Sequence, residues 1–181
     1  PHDQLLLDLQ EGGVVDGQDH GADLDPEGIV VQRDQPDTLV IGVQAVVPGM
    51  QAKKFGRIIN IISTSVLMPI RGLGVSNTVR GAMGNWARTL ADELAGDGIT
   101  VNNVLPGFTE TGRLSSIFER KAEKAGTTPE KIRQQIVNGI PARRIGKPEE
   151  LAALIAFLSS DDAGYICGAS IPVDGGRLAA L

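Results

Sequence analysis

The chain has 181 residues, 41% of them hydrophobic and 22% charged, with a net charge of −5, which is the size and make-up of one soluble globular domain. No apolar run approaches the ~20 residues of a membrane-spanning helix, and one cysteine, Cys167, allows no internal disulfide and fits a reducing compartment. Both histidines lie before residue 21, so histidine catalysis and histidine-ligated metals are excluded from the rest of the chain.

The charge is divided unevenly. Residues 1–43 hold ten acids and one base, whereas residues 44–181 hold twelve acids and sixteen bases. A basic excess this small, spread this widely, does not argue for nucleic acid. Residues 1–37 mix acids, glutamine and glycine with no sustained period, the composition of an irregular or disordered leader. From Thr38 to Ala52, Leu39, Val43, Val46 and Met50 recur at helical spacing, and Pro48 is expected to break or kink that helix.

Arg57 to Ile62 is a short isoleucine-rich run that suits a strand buried on both faces. It ends at Ser63-Thr64-Ser65, and a loop with Pro69, Gly72 and Gly74 follows. Val75, Val79, Met83, Trp86, Leu90 and Leu94 then mark a helix on which Ser76 and Arg80, four apart, share a face. Ser76 could equally be that helix's N-cap. A hydroxyl at a strand's C-terminal end, facing a helix that carries a second hydroxyl and a cation, lies where open α/β sheets bind ligands.

Thr100 to Leu105 reads as the next strand, closed by the Pro106-Gly107 turn, with Thr109 and Thr111 beyond it. Leu114 to Gly139 is charged and helical with a break at Gly126 to Pro129, where Thr128 reads as an N-cap and Pro129 as the first helical residue. Pro148-Glu149-Glu150 opens another helix with the acids where its dipole favours them. Ala163 to Gly168 leads into a last strand, Ser170 to Asp174, before Gly175-Gly176. Cys167 reads as a small core residue, and Tyr165 is the sole tyrosine.

The segment from Arg57 to Leu94, with RxGxPEE at Arg144–Glu150 and VDGG at Val173–Gly176, resembles the short-chain dehydrogenases/reductases. In that family a serine ends this strand, a tyrosine follows thirteen residues later and a lysine four after that. The frame falls on Ser63, Ser76 and Arg80, so the tyrosine is replaced by serine and the lysine by arginine. The position of the family's catalytic asparagine falls on or near Gln35, and its TGxxxGxG loop and NNAG motif are missing. The resemblance covers residues 38–181, the C-terminal half to three fifths of a full-length member, and it implies a packing role for Tyr165 ahead of the last strand.

It implies an α/β fold, a partial Rossmann-like doubly wound parallel sheet with three strands, preceded by a non-homologous leader over residues 1–37. That leader would be a truncated start or an out-of-frame translation. It implies NAD(P)-dependent carbonyl/alcohol redox on a small-molecule substrate, with a 3-oxoacyl reductase-like reaction as one form of it. Ser63, Ser76 and Arg80 would stand at the catalytic positions, with Arg80, Pro106, Gly107, Thr109 and Thr111 on the cofactor side. Pro106-Gly107 could also be a plain turn followed by two solvated threonines. A cytoplasmic homo-oligomer with no membrane or nucleic-acid partner is expected. Without the glycine loop, dinucleotide binding by this chain is expected to be weak. The lost tyrosine and lysine leave open a non-catalytic binding or assembly module built on the same fold.

Overall fold

A computed structural model describes residues 29–33 and 36–179. Strand β1 (Ile29–Arg33) is followed by helix α1 (Pro36–Lys53), strand β2 (Gly56–Ile61), helix α2 (Gly74–Leu94) and strand β3 (Ile99–Pro106). Helices α3 (Gly112–Ala125), α4 (Pro129–Asn138) and α5 (Pro148–Ser159) then lead to strand β4 (Ser170–Val173). The four strands form one parallel sheet in the order β1-β2-β3-β4. Parallel neighbours need crossovers, and the helices supply them.

Helices lie on both faces, as the doubly wound expectation requires. On one face α1 and α2 close over β2 and β3 through Val46, Met50, Ile58, Ala87, Leu94 and Val101. On the other, α5 packs Ile155 and Leu158 against Ile59 and Val104. Burial on both faces explains why β2 reads as an isoleucine-rich run, and it extends along β3 even through Thr100, Asn102 and Asn103. The pair α3–α4 has its own small core of Leu114, Phe118, Ala122, Ile132 and Ile145.

A row of polar residues crosses the sheet at one register. Asn60 on β2 stands opposite Asn103 on β3, which stands opposite Ser170 on β4. Asn60 Nδ2 donates to Asn103 Oδ1 at 3.1 Å, and Asn103 Nδ2 donates to Ser170 Oγ at 3.1 Å. Asn102, pointing to the other face, donates to the Ile166 carbonyl and accepts from the Ala169 N–H.

The structure corrects several expectations. The sheet has four strands rather than three, because Ile29–Arg33, placed above in an irregular leader, pairs in parallel with Arg57–Ile61. The helix expected from Thr38 begins at Pro36. The remainder of the leader, residues 1–28, and the Gln35 position lie outside the described residues. Pro48 does not break α1, which runs through it. Gln44 and Pro48 both lie on the exposed side, where water can take the carbonyl that loses its partner. Ser76 does not cap α2, which starts two residues earlier behind Leu73. Tyr165 is fully exposed and Cys167 is exposed. Between them Ile166 turns inward to the α5 cluster and takes the packing role.

Candidate active site

The site forms where β2 ends and α2 begins. Past Ile61 the chain enters a single 3-10 turn, Thr64–Val66, which Ser63 caps. Ser63 Oγ accepts from the Ser65 N–H at 3.1 Å, so its own O–H is left to donate elsewhere. In the first turn of α2, Ser76 Oγ accepts from Arg80 Nε at 3.1 Å. Arg80 Nη1 also donates to the carbonyl of Ile62, in a short hydrogen bond. One guanidinium therefore ties the end of β2, one residue before Ser63, to the first turn of α2. A planar fork holds two acceptors at fixed angles, which a lysine's point charge cannot do as rigidly.

Two neighbouring side chains fix the local backbone. Asn77 Nδ2 donates to the Ile70 carbonyl at 2.9 Å while its Oδ1 accepts from the Ile70 N–H at 3.3 Å. Thr78 Oγ1 turns back to the Gly74 carbonyl at 3.0 Å. At the start of α2 lies an open hollow of about 550 Å³ lined by Gly72, Leu73, Gly74, Val75, Ser76, Val79 and Arg80. Gly72 has a left-handed φ of 83° that glycine tolerates without strain.

The loop after β3 is held by other means. The Gly107 N–H donates to the Val173 carbonyl at 2.9 Å. A Cβ on Gly107 would come within 2.8 Å of the Asp174 backbone, so glycine is required there for packing alone. Thr109 bridges to Gly146, Glu110 N–H donates to the Gly146 carbonyl, and Gly146 N–H donates to the Phe108 carbonyl. Thr111 is the residue before α3 and makes no side-chain cap. None of Pro106, Gly107, Thr109 and Thr111 lines the cleft of Ser76 and Arg80.

The RxGxPEE run acquires a physical account. Arg144 grips the Glu150 carboxylate with two N–H groups, at 2.7 and 2.5 Å, and Glu150 also accepts from the Lys147 N–H at 2.8 Å. The Arg144 hydrogen bond, with help from Lys147, pulls the Glu150 carboxyl down to about 2. This clasp presents Gly146 to the loop after β3. Sequence reasoning found the motif but not the clasp, and it missed Asn77 and the Ile62 carbonyl altogether. A backbone acceptor leaves no signature in the residue types.

The described residues fit a dinucleotide only in part. Ser63 and Ser76 each keep a hydroxyl hydrogen to donate. Gly107, by contrast, opens no cradle, since Asp174 fills the space beside it. No glycine-rich strand-to-helix turn occurs among the described residues. Nor do those residues contain a group of three or more His, Cys, Asp or Glu able to hold a metal, or a helix long and apolar enough to cross a membrane.

The sequence family described as Enoyl-(Acyl carrier protein) reductase matches residues 36–177. The NADPH-dependent reductase BacG of Bacillus subtilis is 37% identical over 132 residues, which is 73% of this chain and 51% of that protein. The 3-oxoacyl-[acyl-carrier-protein] reductase FabG of Pseudomonas aeruginosa is 36% identical over 133 residues, 74% of this chain and 49% of its own length. Among solved structures, YwfH, an NADPH-dependent reductase involved in bacilysin biosynthesis, superposes with a TM-score of 0.74 at 34% identity, covering 78% of this chain and 54% of that one. The chain thus spans about half the length of the curated relatives it matches.

Proposed function

The chain belongs to the short-chain dehydrogenase/reductase family, and we propose on that footing that it serves NAD(P)-dependent carbonyl/alcohol oxidoreduction of a 3-oxoacyl reductase-like kind, with impaired chemistry in this chain. When bound, the dinucleotide would supply or take up a hydride. The observation that carries the reading is the Arg80 bridge from Ser76 Oγ to the Ile62 carbonyl, which sets a donor hydroxyl beside the strand end that bears Ser63. Both hydroxyls are held as acceptors, so each offers its hydrogen to a substrate oxygen. Neither is a good acid. A phenol titrates near ~10 and can be lowered by a neighbouring cation, whereas an aliphatic hydroxyl is far less acidic.

A second reading, a non-catalytic binding or assembly module, draws on the same bridge. A guanidinium bound to two groups of its own chain works as a clasp. The substrate in the first reading is a small-molecule carbonyl or alcohol, and the working form is a cytoplasmic homo-oligomer. The deciding experiment follows NAD(P)H oxidation by the 181-residue chain against a panel of ketones and β-keto esters, with calorimetric titration of the cofactor alongside. Slow, cofactor-dependent turnover and weak binding are expected. Brisk turnover would overturn the impairment, and a complete lack of turnover with substrate bound would favour the second reading.

A further inference from the structure

We propose that the acidic segment of this chain, residues 1–28, docks on the basic outer face of helix α3. The charge is parted by position. Residues 112–147, which hold the α3–α4 hairpin and the loop after it, carry nine Lys or Arg and three Asp or Glu. Residues 1–28, outside the described residues, carry eight Asp or Glu and no Lys or Arg. All nine cations of the hairpin region are exposed. On α3, Arg113, Arg120 and Lys124 fall within about 40° of one line along the helix. That line is turned away from Leu114, Phe118 and Ala122, which face the hairpin core. Lys121 flanks it on one side, and Glu119 and Glu123 lie on the other.

Part of this charge is already answered, since Arg133 pairs with Glu110 and Arg144 with Glu150. Among the described residues, Arg120, Lys121 and Lys124 have no acid in ion-pair contact. They leave a positive strip about 16 Å long, whose potential an acidic segment lowers. The reach is sufficient. Ile29 stands opposite Arg57, and Arg57 opposite Thr100 near the start of β3. Helix α3 follows the far end of β3, on the order of 20 Å along the strand and 10 Å across the sheet. Twenty-eight residues can span up to about 90 Å. Tethering holds the acids near the strip at about millimolar effective concentration, so individually weak pairs suffice. An anionic ligand approaching the hairpin then meets a neutralised face.

The test treats the 181-residue chain with a zero-length carbodiimide, which joins a carboxylate to an amine in contact, and maps the links by mass spectrometry. Mixing natural and isotope-labelled copies separates links within a chain from links between chains. Links within a chain from residues 1–28 to Lys121 and Lys124 are expected at about 0.01 M salt, and few at about 1 M, where the screening length is about 3 Å. Lys53 is the control. It lies four residues before Arg57, the partner of Ile29, so the tether alone favours it over α3. Arg120→Glu with Lys124→Glu, both at exposed positions, should lower the links to Lys121 by about fivefold or more. Links no more frequent at Lys121 and Lys124 than at Lys53 would overturn the proposal. So would links unchanged by salt or by the double variant, or links found only between chains.

Discussion

Arginine at position 80 holds two acceptors at once, and serine at position 76 cannot take over a phenol's chemistry. Joined to a related dinucleotide-binding half, the chain is expected to reduce carbonyls slowly. Ser76→Tyr with Arg80→Lys should raise turnover by about 10²–10⁴-fold, the usual contribution of a positioned acid–base. Unchanged turnover in the double variant, measured by cofactor oxidation, would mean that another group supplies the proton. Glu150 offers a second test, through pH. Its carboxyl lies at about 2 in the folded chain, below its ordinary value, because Arg144 and the Lys147 N–H favour the charged form. The stabilisation is therefore in full force above the ordinary glutamate range and disappears as pH falls toward about 2. Urea midpoints of Glu150→Gln should fall below those of the native chain at neutral pH and converge with them in strong acid. A gap that persists there would assign the effect to packing.

The helical hairpin α3–α4 was legible in outline, because Thr128 and Pro129 mark a helix start and Gly126 a helix stop. Thr128 Oγ1 indeed accepts from the Lys131 N–H, and Gly126 sits in the left-handed conformation. Its separate core was not legible, since no periodicity tells which partner a helix stripe meets. With that core apart from the sheet clusters and closed by Ile145 and Phe108 from the flanking loops, Phe118→Ala should cost about 3–5 kcal/mol locally. Amide exchange should quicken across residues 112–138 while β2 and β3 stay protected. Equal loss of protection in the sheet would show that hairpin and sheet unfold as one. Strand β1 escaped notice because three β-branched residues, Ile29 to Val31, stand among acids and glycine, and only pairing with β2 gives them a place. Tyr165 and Cys167 were misplaced for a related reason. In a turn, residue type does not say which of three consecutive side chains faces inward, and Ile166 does.

For the whole molecule, the frame of Ser63, Ser76 and Arg80 came from the family resemblance, while spacing alone put Ser76 and Arg80 on one helix face, where they hydrogen-bond. The frame's electrostatic wiring was not legible in the sequence, since it runs through the backbone of Ile62. Among the described residues β1 and β4 stand at the two edges of the sheet, and an unpaired parallel edge invites pairing with another chain. Sedimentation of the chain is expected to show dimers or larger species, and a monomer that persists at high concentration would refute this. The row of Asn60, Asn103 and Ser170 bears on how such a sheet avoids assembling wrongly. A slip of two residues between β2 and β3 would keep every side chain on its proper face, and hydrophobic patterning alone would not object. It would, however, set Asn60 beside Val101 or Leu105, both fully buried, and strand two amides in hydrocarbon. The row thus serves as a proofreading mark: it tolerates one alignment of the strands and penalises its nearest counterfeits.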